Sequence, residues 1–329
     1  MPFPAIRNYH THQASEIIQH LNDNLAVYRN AASTSASILQ SMQKTPRVLI
    51  IDLKGEDGDE NFMDANLQNL IATEVTGGND KNPTSADNFE HILGFEYNDA
   101  RVTKWNPRQQ PVFELPADID FWIVTGGPAM ASVLHSQHNH PDKPFLQRTL
   151  NVLKELKRRE VIGLNVCLGM QLWGYLHGGE VGKESAKSEV GRVCLSLSED
   201  GKKHPFFHHL NSQPELDIVA NHTESIITPI SKLQGNHELL AHNEHTQNQI
   251  IATYPDNLTK HEAMKQQKIV LSIQNHPELF GYQMQNLIIR FNDCLSAQGY
   301  IPANIPTTHN VETYQIFHQL LFLLKDRLS

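Results

Sequence analysis

Val161-Ile162-Gly163-Leu164-Asn165-Val166 runs directly into Cys167-Leu168-Gly169-Met170-Gln171, and this junction decides the fold. Six largely apolar residues flanked by polar ones read as a short strand buried on both faces. Leu168 to His177 reads as the helix that follows. The same pattern occurs upstream. Phe121-Trp122-Ile123-Val124 is a buried strand ending in Thr125-Gly126-Gly127-Pro128. A helix over Asp142 to Glu160 follows, apolar at Phe145, Leu146, Leu150, Leu153 and Leu156. Its basic finish, Lys157-Arg158-Arg159, complements a helix C-terminus. Val48-Leu49-Ile50-Ile51-Asp52 is a further strand, with a helix over Phe62 to Val75. Strands alternating with helices predict a parallel sheet covered on both faces. Ligands bind such sheets at the carboxyl ends of the strands.

Elsewhere the pattern is weaker. Thr76 to Asp120 reads as irregular, punctuated by Gly77-Gly78 and by Pro83, Pro107, Pro111 and Pro116, with one candidate strand at Val112-Phe113-Glu114-Leu115. A loop of that length in a compact domain is functional or contains further elements. After Gly178-Gly179, residues 188–197, 216–221, 249–254 and 268–275 read as strands. Helices close the chain at 281–297 and 311–327, joined by a linker over Ala297 to Thr308 that contains Pro302 and Pro306. Residues 11–43 read as helix with a break in the small, hydroxyl-rich stretch from Ala31 to Ser37. That helix is read as a packing element, with dimerisation into a homo-oligomer as the alternative. The expected division is 1–46, an N-terminal helical extension; 47–297, the α/β domain; and 298–329, a linker and helix.

A formal net charge of −9 over 329 residues argues against a general nucleic-acid or anionic-membrane binder. Cys167, Cys194 and Cys294 are far apart and form no C-x-x-C pair, which fits a reducing compartment. Neither a signal peptide nor a run of membrane-spanning length is read, so cytoplasm is the expected location. His204, His208 and His209 come nearest to a cluster among the 19 histidines. They lack a ligand spacing with carboxylates and are read as surface residues, with no metal site and no cofactor expected.

A cysteine between a buried strand and a helix projects its sulfur above the sheet edge. The helix N-terminus favours the thiolate over the thiol, whose ordinary pKa is about 8.5. The N–H of Leu168 points where an oxyanion would form. A lone cysteine is more often a small buried hydrophobe, so two further segments matter. Gly126-Gly127-Pro128 ends a strand in a turn with exposed backbone N–H groups and offers a second oxyanion donor. Gln274-Asn275-His276-Pro277-Glu278 follows the apolar strand Ile269 to Ile273. It places a candidate general base, His276, two residues before a carboxylate able to hold its tautomer.

In this order and at these strand ends, the three segments resemble the class I glutamine amidotransferases. That family combines G-x-C-x-G-x-Q, a Gly-Gly-Pro-type loop and His-Pro-Glu, and the resemblance spans Arg47 to Asn292. It implies a flavodoxin-like three-layer α/β sandwich with a mostly parallel central sheet, here carrying N- and C-terminal helical extensions. By position it makes Cys167 the nucleophile, His276 the base and Glu278 the orienting group. Gly127 and Leu168 become the oxyanion donors. Gly126, Gln171, His222 and Thr223 become substrate contacts, the last two within Ala220-Asn221-His222-Thr223-Glu224. Asn165 and Asn275 depart from the family's usual Gly and Phe. The implied substrate is a small γ-glutamyl compound such as glutamine.

No phosphate-binding G-x-x-x-x-G-K-[ST] loop or Ser-Gly-Gly-x-Asp-Ser loop occurs. The expectation is therefore a free γ-glutamyl hydrolase or a glutaminase subunit serving a separate synthase. Acyl transfer from acyl-CoA to homoserine is the alternative, for which Lys54 at the end of the first strand is the relevant residue. A non-catalytic binding module is the third reading.

Overall fold

In the computed structural model, residues 11–54, 72–79, 83–184, 188–210, 215–278, 292–300 and 311–328 are described. A nine-stranded sheet organises the chain. Five strands are parallel: β1 (Val48–Ile51), β2 (Val102–Trp105), β3 (Phe121–Val124), β4 (Ile162–Val166) and β11 (Val270–Ile273). Four more extend one side antiparallel: β6 (Glu189–Leu197), β7 (Glu215–His222), β9 (Asn236–His242) and β10 (Ile250–Tyr254). The order is β2-β1-β3-β4-β11-β10-β9-β6-β7. β5 (Val181–Gly182) and β8 (Ser225–Ile226) form a separate small pair.

Strands β1 and β3 are apolar at every position because both faces are covered. Val48, Ile50, Phe121 and Ile123 pack into one core layer, while Leu49, Ile51, Trp122 and Val124 pack into the other. This is the period-2 alternation of a pleated strand applied to two apolar environments. β4 departs from this at Asn165 and Gly163. The Trp122 indole occupies the space of the side chain that Gly163 lacks, with Cε2 2.1 Å from where a Cβ would lie.

Helices α3 (Lys143–Arg158) and α4 (Leu168–Leu176) cover the second layer. The first layer is covered by α1 (Thr11–Gln40), α2 (Ser85–Ile92) and α7 (Val311–Leu328). Leu25, Tyr28, Ile38 and Leu39 of α1 and Tyr314, Phe317, Leu320 and Leu324 of α7 are core residues of that layer. Short helices α5 (Lys260–Lys265) and α6 (Asn292–Ala297) are also present. No helix among the described residues is long and apolar enough to cross a membrane.

Several expectations change. α1 runs without a break through Ala31 to Ser37. Thr34 and Ser37 hydroxyls donate to the carbonyls four residues back, at 2.8 and 2.9 Å, so they do not compete with the helix. The small residues serve close approach: a Cβ on Gly94 would lie 2.4 Å from the Ala36 nitrogen. The stretch from Thr76 to Asp120 contains α2 and β2. α2 opens on a capping box in which Thr84 and Asp87 exchange hydrogen bonds. Val112 to Leu115 is not a strand; Phe113 instead stacks on Trp105 with ring centroids 4.6 Å apart. β9 adds a strand that the residue pattern does not signal. His204 is buried rather than exposed, with Nε2 3.1 Å from the Tyr254 hydroxyl, and burial pushes its pKa down to about 4. His208 is exposed, and the side chain of His209 lies outside the described residues. So do most of the helices read over 62–75 and 281–297 and the linker over 301–308.

Candidate active site

Three neighbouring strands deliver the three segments to one sheet edge. The register pairs Val124 of β3 with Asn165 of β4, and Val166 of β4 with Ile273 of β11. The chain therefore leaves β3 into Thr125-Gly126-Gly127, β4 into Cys167, and β11 into Gln274 to Glu278, side by side.

Cys167 has φ 48° and ψ −106°, a left-handed conformation that is uncommon for a side chain with a Cβ. Two hydrogen bonds hold it there. Its N–H donates to the Ile273 carbonyl at 2.8 Å, continuing the parallel ladder, and its carbonyl accepts from Gln171 N–H at 3.0 Å, opening α4. Close packing needs Gly169, because a Cβ there would lie 2.7 Å from the Val124 carbonyl oxygen. The thiol is buried. Its sulfur lies 3.5 Å from Gln274 Nε2, which donates to it, and 4.0 Å from the Asn221 carbonyl.

His276 Nδ1 lies 2.7 Å from Glu278 Oε1, and both side chains are buried. Burial opposes charge on the imidazole. The Glu278 carboxylate, then Cys167, outweigh it and raise the His276 pKa well above its ordinary value. Among the described residues Nε2 closes no hydrogen bond of ordinary geometry, although ring and sulfur are near enough to interact. Gly126 shows how near: a Cβ there would stand 2.3 Å from His276 Cε1 and 3.3 Å from Cys167 Cβ. It forms the floor beneath both side chains. Gly127 lies against β1's exit, where a Cβ would meet the Leu53 carbonyl oxygen at 2.5 Å. Leu168 is the first residue of α4, where backbone N–H groups have no acceptor within the helix.

The expected substrate contacts gather one shell further out. Gln171 Nε2 donates to the Glu224 carbonyl at 2.7 Å. The Glu224 carboxylate accepts from Ser132, through both its N–H and its hydroxyl. Thr223 is exposed and its hydroxyl lies 2.9 Å from that of Ser188. The His222 imidazole is engaged elsewhere, with Nε2 3.1 Å from Glu189 Oε2. Glu189 also accepts from Thr246, Gln249 and Asn243. Burial alone would raise its pKa, but His222, Thr246 and Asn243 bring it down to about 2.

Sequence reasoning missed Gln274 and Glu189. Each is visible only through strand register: Gln274 follows Ile273, whose partner precedes Cys167, and Glu189 pairs with His222 across β6 and β7. Asn165, the departure at the elbow, donates to Ser272 Oγ at 3.0 Å and so ties β4 to β11. Lys54 N–H donates to Asp52 at 3.0 Å. Among the described residues no group of three metal-ligating side chains occurs.

Comparison with known proteins matches the model of the family described as glutamine amidotransferase class-I over residues 94–293. The chain is 27% identical over 197 residues to a glutamine-hydrolyzing GMP synthase subunit of Archaeoglobus fulgidus, covering 59% of this chain and 86% of that protein. It is 29% identical over 137 residues to the protein of the same name from Methanothermobacter thermautotrophicus, covering 41% of this chain and 61% of that one. The fold is similar to that of a glutamine amidotransferase of Thermotoga maritima, with a TM-score of 0.52 and 16% identity over 87% of this chain and 97% of that one. With the family model matching 200 of its 329 residues, the chain belongs to the class-I glutamine amidotransferases, a family that hydrolyses or transfers the amide of glutamine.

Proposed function

We propose that the chain hydrolyses or transfers a γ-glutamyl amide through a thioester on Cys167, with His276 and Glu278 completing the catalytic group. The observation that carries this reading is the buried His276–Glu278 contact of 2.7 Å beside a cysteine on a left-handed strand-to-helix turn. His276 takes the Cys167 proton, and the resulting imidazolium is favoured by the carboxylate behind it. The thiolate attacks the γ-carbonyl carbon. The tetrahedral oxyanion is received by the N–H groups of Gly127 and Leu168, and losing one such donor typically costs about 10²–10³ in rate. Collapse expels ammonia, which leaves with the proton from His276. Water or an amine then attacks the thioester, giving glutamate or a transferred γ-glutamyl group and restoring the thiol.

Gln274 adds a donor to the sulfur and so favours its anionic form. Gln171 and the 222–224 segment, joined by the Gln171–Glu224 bond, form the wall that receives the amino-acid end of the substrate. Released ammonia passes to a separate synthase subunit. This is supported by relatives that are themselves named as subunits of a synthase.

The test is labelling with a glutamine-analogue electrophile, followed by mass spectrometry. Modification of Cys167 alone, blocked by glutamine, is the expected result. Label on Cys194 or Cys294 instead removes the nucleophile assignment. Acyl-CoA consumption with homoserine, without glutaminase activity, would replace the amide reading by acyl transfer.

A further inference from the structure

Three elements outside the family match pack together behind residue 278, whose carboxylate holds His276. Glu278 Oε1 is engaged by His276, whereas Oε2 is buried with no hydrogen-bond partner among the described residues. Among the described residues, hydrogen bonding fixes one of the two oxygens, and the packing around residue 278 bears on the rest of the orientation. Backbone anchors hold the segment earlier, through Gln274 N–H to the Gln249 carbonyl and His276 N–H to the Val219 carbonyl. At residue 278 itself the anchor comes from α2. Asn88 Nδ2 donates to the Glu278 carbonyl at 3.4 Å, in a buried and long contact.

Asn88 is held in turn by the N-terminal helix. Its backbone carbonyl accepts the Tyr28 hydroxyl of α1 at 3.0 Å. Tyr28 is fully buried; its ring stacks on His91 at 5.1 Å and meets Tyr314 of α7 edge-on at 6.4 Å. Tyr314 is buried close enough to Glu278 that the carboxylate adds to the effect of burial in opposing phenol ionisation. His318 Nε2 of α7 lies 3.0 Å from the Ala31 carbonyl and locks the two terminal helices together. Among the described residues, and besides His276, the titratable groups around Glu278 are Tyr314 and, one layer out, Tyr28 and His91, the last with Glu74 at 3.8 Å.

We propose that the terminal helices, acting through α2, position the catalytic group: Tyr28 and Asn88, backed by Tyr314, are positioning residues that hold Glu278 against His276. This rests on the Cys167–His276–Glu278 reading above. If Glu278 retreats, the 2.7 Å contact lengthens and the pull that keeps His276 charged weakens. A purely supporting layer would stabilise the sheet without affecting the reactivity of the sulfur.

Alkylation of Cys167 by iodoacetamide tests this and needs no γ-glutamyl substrate. Full-length Tyr28→Phe, Asn88→Ala and Tyr314→Phe are compared with the wild type from pH 5 to 9, together with their thermal midpoints. At pH 7 the rate is expected to fall about threefold to tenfold in Tyr28→Phe and Asn88→Ala, the worth of roughly one hydrogen bond. The deficit should narrow toward pH 9, where hydroxide in the solvent replaces His276 as the base. Unchanged rate profiles with lowered thermal midpoints would mean the helices only stabilise, and the inference would be wrong. Tyr28→Phe and Tyr314→Phe keep the ring packing, so the comparison survives if Asn88→Ala does not fold. A wild-type thiol no faster than that of His276→Ala overturns the catalytic group itself, which is distinguishable from the failure of this inference alone.

Discussion

Substituting Gly126 by Ala would add one methyl group at the place where Cys167 and His276 meet. The new Cβ would stand 2.3 Å from His276 Cε1, against an ordinary contact of 3.4 Å or more. The imidazole would therefore have to retreat by about 1 Å, and a misplacement of that size in a reacting group costs about 10²-fold in rate. It cannot retreat freely, because the same ring is held to Glu278 at 2.7 Å inside a closed wall. The Cys167 Cβ, at 3.3 Å, is tight but tolerable, so the sulfur stays near its place. Gly126 does not occupy a left-handed conformation, so the backbone itself accepts alanine. Overpacking a close-packed site costs about 1–3 kcal/mol, which lowers stability without abolishing the fold. The expected outcome is a folded protein whose glutaminase kcat falls about 10²-fold, far more than KM changes. Steady-state kinetics with glutamine, with circular dichroism to confirm folding, would measure it. Wild-type turnover in a folded Gly126→Ala protein would refute the placement of His276 over Gly126, and with it the catalytic geometry.

Gln274→Leu removes a donor to the sulfur, and a hydrogen bond to a charged group is worth about 1.5–3 kcal/mol, so alkylation of Cys167 at pH 7 should slow about tenfold to hundredfold. Equal alkylation rates in the two proteins would show that the 3.5 Å contact does nothing for the thiolate. Glu189 has a folded pKa of about 2, below its usual 4.5, so its contribution to stability is present above pH 4.5 and is lost as pH falls toward 2. The thermal midpoint of Glu189→Gln should accordingly lie below that of the wild type at pH 5.5 and approach it near pH 2.5. A difference that stays constant across that range would mean the charge of Glu189 contributes nothing.

The central strands and the Cys167 turn were legible because their signals are local. Runs such as Phe121 to Val124 are apolar throughout, since both faces are buried, and Gly126-Gly127, Cys167 and His276 each stand directly at a strand end. Short elements defeated the reading wherever their signal was weak or displaced. α2 is announced by Thr84 and Asp87 alone, amid prolines and asparagines. The hydroxyl-rich stretch of α1 looks like a break, although its side chains bond back to the helix they occupy. His204 carries nothing in its neighbours to show that Tyr254, fifty residues on, would bury it.

By itself the sequence determined that Gly126-Gly127, Cys167 and the segment leading to His276 follow the ends of parallel strands, because period and turn composition are properties of adjacent residues. Only the tertiary structure decided that Gln274 faces the sulfur, that Glu189 holds His222, that Tyr28 holds Asn88, and that Asn88 reaches Glu278. Those contacts join positions from 33 to 190 residues apart, and nothing short of the packed sheet and its two covering layers brings them within bonding distance.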